Sequence, residues 1–271
     1  MSNTQVRFIS AAVLILAVTL CVYLGMNYAL GFIFVLGIII IDELEIHFQK
    51  GERFNFLYNA NILIFAIPFL LLNYIPAPNE VLKLAVYFGL ASNFFLLFFL
   101  IYYDLKKSFL LNLRKTFPFF SGTMVVILTM SLSYIFHQEL WSRKLTILLF
   151  LVFGMDTGAW FFGKNFGRHK LWPSVSPNKT IEGLLGGAIT AAVLASLFTH
   201  LLIGKMSPVF FALFAVLGIL SQIGDLIQSK MKRQCGIKDS GTLIPGHGGV
   251  YDRLDSLLYL APFYAILIEM M

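Results

Sequence analysis

The sequence predicts an all-α fold, a polytopic membrane helix bundle with about nine transmembrane helices, on three observations. Only 13% of the 271 residues are charged, about half the 25% usual in a soluble domain. Mean hydropathy is +0.81. The apolar residues make up 58% of the chain, with 28 phenylalanines, and they fall in long runs rather than in the alternation of a half-buried strand.

A bilayer span needs about 20 mostly apolar residues. The first run, 8–25, follows Arg7 and closes without a small-residue cleavage motif, so it reads as a retained helix and not a signal peptide. The second, 28–42, is short and is expected to tilt or re-enter. Runs 56–75 and 81–103 follow, then 118–136, 145–163, 181–203, 208–228 and 254–271. Pro68 and Pro262 are expected to kink their helices. Residues 1–140 form the N-terminal transmembrane helices and 141–271 the C-terminal catalytic region of one continuous bundle. Cys21 and Cys235 show neither a disulfide framework nor zinc spacing.

Basic residues set the topology. With nine spans, the N-terminus and loops 43–55, 104–117, 164–180 and 229–253 share one side. That side holds all but Lys83, Arg143, Lys144 and Lys205 of the 20 basic residues, Lys106 and Lys107 among them. The bias places that side in the cytoplasm. The expectation is a multi-pass protein of the inner or plasma membrane, N-terminus in and C-terminus out. The bases flank membrane spans, so nucleic acid is not expected as a partner.

Polar chemistry concentrates in the second half. Asp156 and Asp225 sit inside apolar runs, and an ionised carboxylate in lipid costs at least about 2.5 kcal/mol, so each needs a partner or a wet cavity. In "KDSGTLIPGHGGVYDRLDS" (238–256), Asp252 and Asp255 lie three apart, on one face if a helix starts near Tyr251. Taken singly, Asp252 reads as a helix cap and Asp255 as the partner of a base. Three carboxylates converging with Asp225 would repel without a cation, and oxygen-only ligands suit magnesium, which also accepts substrate phosphates.

The glycines of "GHGG" let backbone N–H groups approach an anion. Lys230, Lys232, Arg233 and Lys238 stand upstream, and together these read as a polyphosphate cradle beside a metal. A plain positive-inside loop would explain the bases but not the glycines and acids together. His247 reads as a hydrogen-bonding loop residue, since a phosphate nucleophile has no proton to lose. A second cluster, "SPNKT", places Lys179 and Thr180 at a helix N-terminus, where phosphate binds well. Glu182 is the acid in sequence that could neutralise Lys179 instead. "FGKNFG" lacks the Walker A spacing, so this is no P-loop.

The stretch "SKMKRQCGIKDSGTLIPGHGGVYDRLDS" resembles the signature of the phosphatidate cytidylyltransferases, or CDP-diacylglycerol synthases. The matching positions are Ser229, Lys232, Arg233, Lys238, Asp239, Gly241, Pro245, His247, Gly248, Gly249, Asp252, Arg253 and Asp255. "DTGAWFFGKNFGRHK" and "SPNKTIEG" are similar to the family too, so the motif resemblance covers roughly residues 150–256. The resemblance implies that CTP and phosphatidate give CDP-diacylglycerol and pyrophosphate, in phospholipid biosynthesis. It also implies Mg2+, a monovalent cation such as K+, and a homodimer. On that reading Asp225 and Asp252 ligate magnesium, with Asp255 a third ligand or an anchor. Lys179, Lys232 and Arg233 hold phosphates. Ser176, Thr180, Gly248 and Gly249 add hydrogen bonds, and Lys238, Asp239, His247 and Arg253 complete the substrate site.

Two other classes compete. A CTP-dependent lipid kinase would release CDP instead of pyrophosphate. A transporter would use Asp156 and Asp225 as an ion relay, but no repeat or paired broken helices accompany them.

Overall fold

The computed structural model describes residues 3–75, 79–105 and 109–271. The helices are Asn3–Leu24 (α1), Met26–Glu43 (α2), Phe56–Tyr74 (α3), Asn79–Tyr102 (α4), Phe109–Thr116 (α5), Phe120–Phe136 (α6), Trp141–Phe166 (α7), Ile181–Ile203 (α8), Pro208–Gln234 (α9) and Tyr251–Leu267 (α10). Each of the nine expected runs is helical. Among the described residues, six helices, α1, α3, α4, α7, α8 and α9, are long and apolar enough to cross a membrane. The chain is therefore a multi-pass membrane protein. The apolar α6 is shorter at 17 residues, and α2 and α10 are not among the six.

Three elements depart from the expectation. α2 runs on into one π-helical stretch, Leu44–Phe48. Loop 104–117 holds the short α5, while Lys106 and Lys107 lie outside the described residues. The region before α8, read as irregular, forms an antiparallel hairpin of β1 (Lys170–Trp172) and β2 (Ser176–Thr180). Buried Val175 anchors its turn.

α9 also continues past the expected end at 228. Lys230 is buried and donates to the carbonyls of Phe99 (3.2 Å) and Leu100 (2.7 Å) in the last turn of α4. Its ammonium adds a donor to carbonyls at the C-terminal end of a helix, where cations are favoured, so a charge that looked like loop is held inside the bundle.

Small residues set the closest helix packing. A Cβ at Gly158 of α7 would lie 3.0 Å from Gly187 Cα, and one at Gly154 3.3 Å from Ala191 Cα, both on α8. Spaced four apart, these glycines let two backbones meet as membrane helices do. α10 packs against α9 and also against α4 and α6 of the first half, so the apolar core is continuous.

Long-range contacts gather the basic loops at one end of the bundle. Ser10 Oγ lies 2.8 Å from His247 Nδ1. Cys235 Sγ donates to Phe48 O, Gln234 Nε2 to Asp104 O, and Arg114 Nη1 to Gln49 O. At the other end Lys83 pairs with Glu269 at 2.8 Å, and Lys205 donates to Met270 O.

Candidate active site

Two lysine–carboxylate pairs stand at the end where the basic loops meet. Lys179, on β2, places Nζ 2.5 Å from Asp225 Oδ2 on α9. Asp225 Oδ1 also accepts from Ser229 Oγ at 3.1 Å. Lys232, on the last turn of α9, donates to Asp252 Oδ1 at 2.7 Å. Lys232 is near enough to attract Asp225 and Asp255 as well, and Asp156, Asp225 and Asp255 are near enough to repel one another. The sequence-predicted acids thus share one electrostatic neighbourhood.

The hairpin sets two details of Lys179 that the sequence left open. The lysine precedes the helix as the penultimate residue of β2, while Thr180 is the N-cap of α8 and accepts from Gly183 N. Its partner is Asp225, 46 residues away, and not Glu182. Glu182 is taken by His169, whose Nδ1 lies 2.6 Å from Oε1 and whose N–H also points at the carboxylate. The hairpin turns Lys179 inward and away from the first turn of α8.

Asp252 does begin α10 with Asp255 one turn on, since the helix opens at Tyr251. Its side chain is 3% exposed, and both oxygens are engaged. Oδ1 accepts from Lys232 and from Gln228 Nε2 (3.0 Å), and Oδ2 from the N–H groups of Ser240 (2.7 Å) and Gly249 (3.0 Å). Four donors fill a carboxylate's usual acceptor capacity. Among the described residues, no group of three or more His, Cys, Asp or Glu side chains is drawn together as a metal cage.

The glycine loop closes against these acids. Gly246 and Gly248 have φ of +74° and +85°, a region that favours glycine. A Cβ at Gly248 would lie 2.6 Å from Asp252 Oδ2. Arg253 donates to His247 O at 3.0 Å. Burial, then the charges of Arg253 and Arg7, hold the His247 imidazole below its ordinary pKa, which favours the neutral ring. Of the remaining candidates, Arg233 donates to Ile237 O, Lys238 and Asp239 are exposed, and Ser176 lies in β2 opposite Trp172.

Sequence reasoning missed Glu43, Gln228 and Ser240. Glu43 is buried at 3% exposure and accepts from Val250 N, Tyr251 N and Ser240 Oγ. A signal was present: "DELE" (42–45) puts three acids at a membrane face otherwise rich in bases.

A profile of the Cytidylyltransferase family matches residues 5–271. Over 175 residues the chain is 35% identical to a phosphatidate cytidylyltransferase of Bacillus subtilis, covering 61% of this chain and 65% of that one. It is 42% identical over 170 residues to one of Haemophilus influenzae, covering 59% and 58%. It is 39% identical over 141 residues to one of Staphylococcus aureus strain COL, covering 51% and 54%. The matches thus span less than two thirds of these relatives.

Proposed function

The chain belongs to the Cytidylyltransferase family, and from that premise we propose that it joins phosphatidate to CTP, forming CDP-diacylglycerol and releasing pyrophosphate. The observation that carries this reading is the alternation of Lys179–Asp225 and Lys232–Asp252 at one end of the bundle. Two ammonium groups, each parked on a carboxylate, can pass to substrate phosphates where a lipid headgroup meets a nucleotide from water.

A phosphate oxygen of phosphatidate attacks the α-phosphorus of CTP. The new P–O bond forms as the bond to the bridging α–β oxygen breaks, and that electron pair leaves with pyrophosphate. The nucleophile is already anionic, so no general base is needed and His247 can stay neutral. Catalysis is then mostly positioning and charge neutralisation. Lys179 and Lys232 both supply cations beside Asp225. The hairpin fixes the first and the extended α9 fixes the second.

The donor chemistry fits a hard divalent ion: Asp225 and Asp255, with Asp156 beside them, are oxygen ligands that repel one another. Asp225 and Asp255 would hold Mg2+, and Asp252 would join them once Lys232 moves from Oδ1 to a phosphate. Bound there, magnesium would neutralise polyphosphate charge. The loops around this site face the cytoplasm on this reading, because they carry most of the basic residues.

The test is purified protein with CTP and phosphatidate in mixed micelles. Pyrophosphate and CDP-diacylglycerol should appear together, stop when divalent ions are chelated, and resume with added magnesium. Release of CDP without pyrophosphate would identify a lipid kinase instead, and no turnover of phosphatidate would overturn the reading.

A further inference from the structure

We propose that Glu43 is the positioning residue of this site: its carboxylate, delivered by α2, seats the start of α10 and fixes the loop that holds Asp252 and Arg253 in place. The proposal rests on the functional reading above and adds a residue outside its motifs.

Four observations carry it. First, both oxygens of Glu43 are used at once. Oε1 accepts from Val250 N at 2.7 Å, and Oε2 from Tyr251 N at 2.9 Å and Ser240 Oγ at 2.7 Å. These N–H groups open α10, where a carboxylate also meets the favourable end of the helix dipole. Second, α10 has no cap of its own, since Val250 precedes it and no side-chain cap bond forms. The cap comes instead from a residue 207 positions away. Third, two signature glycines make room for it. A Cβ at Gly241 would lie 2.9 Å from Oε1, and one at Gly249 would lie 2.5 Å from Oε2. These glycines therefore admit the protein's own carboxylate, and the anion-binding end of α10 is already filled.

Fourth, Asp252 grips the same loop from the other side. Ser240 gives its hydroxyl to Glu43 and its N–H to Asp252 Oδ2, while Gly249 N also binds Oδ2. With Oδ2 held by the loop, Asp252 turns Oδ1 to Lys232. Glu43 acts on the lysine through this clamp and touches neither substrate nor lysine itself. A residue that merely stabilised the fold would need no such link to a phosphate-binding ammonium.

Glu43→Gln keeps the shape but turns an amide NH2 toward at least one of the three donors. Steady-state kinetics on folded protein should show kcat falling at least tenfold, with KM for CTP changed less than threefold. Hydrogen exchange at amides 248–252 should quicken at least tenfold, and the hairpin 170–180 should stay as in the wild type. Ser240→Ala should act in the same direction but less, and the double variant should be no worse than Glu43→Gln, because both break one clamp. A lowered melting temperature with wild-type kcat, or strictly additive losses, would overturn the proposal. If Glu43→Gln does not fold, Ser240→Ala carries the test: kcat lowered about threefold at constant KM supports the clamp, and wild-type kcat removes it. Should wild-type protein prove inactive on phosphatidate, the functional reading fails by itself, and the exchange rates at 248–252 still decide what Glu43 holds.

Discussion

Lys179 Nζ lies 2.5 Å from Asp225 Oδ2, tying an extramembrane hairpin to an acid inside a membrane helix. The pair is only partly exposed, at 18% and 31%, so removing the lysine costs more than the roughly 1 kcal/mol of a fully exposed pair. A lysine on a substrate phosphate is a charge-assisted contact of roughly 1.5–3 kcal/mol. Lys179→Ala should therefore lower the melting temperature and also lower kcat/KM for CTP at least tenfold in the fraction that stays folded. Normal efficiency with a lowered melting temperature would leave Lys179 as a mere partner of Asp225.

Asp225 and Asp252 should respond differently to the same change. Asp252 accepts four hydrogen bonds at 3% exposure, and an asparagine there leaves at least one buried donor unpaired, at about 1–3 kcal/mol. Asp252→Asn should lower both activity and melting temperature. Asp225→Asn is expected to abolish turnover with a clearly smaller thermal shift. Thermal unfolding of both variants in one detergent decides the point, and a larger shift for Asp225→Asn would contradict it.

His247 gives a pH dependence with a definite sign. Its folded pKa lies below the ordinary value, through burial and then through the charges of Arg253 and Arg7. The native state then binds fewer protons than the unfolded chain, so stability is greatest above the unfolded pKa of about 6.5 and declines as pH falls toward the folded value. His247→Gln should flatten the melting temperature between pH 7.5 and pH 5 relative to the wild type. Parallel curves would mean that His247 does not titrate in that window.

Cysteine chemistry can test which way the loops face. Cys235 is a poor reporter, because burial lifts its thiol to about 11 and keeps it protonated, and thus slow to react, at pH 7.5. Ser174 sits in the exposed turn of the hairpin. In Ser174→Cys, an impermeant maleimide should label membranes opened to the cytoplasmic face and spare intact cells. Labelling of intact cells would reverse the topology.

The helices were legible because span length, charge avoidance and proline and glycine placement act locally along the chain. The start of α10 at Tyr251 was legible for the same reason, as it follows a glycine loop and brings Asp252 into the first turn. The acids and bases of the site were legible as residue types, since carboxylates and lysines beside oily runs need partners. Their partners were not. Lys179 looked like the neighbour of Glu182, yet the hairpin turns it to Asp225, and His169 takes Glu182. Lys230 read as a cytoplasmic loop charge, yet the end of α4 presents it with the carbonyls of Phe99 and Leu100. Glu43 carried only the faint signal of an acid-rich "DELE", and its role exists only because α2 and α10 meet there. Sequence alone determined which segments are apolar helices and which residues bring chemistry to their ends. Only the tertiary structure decided who pairs with whom, because a buried charge is satisfied by whichever donor packing brings within about 3 Å, at any distance along the chain.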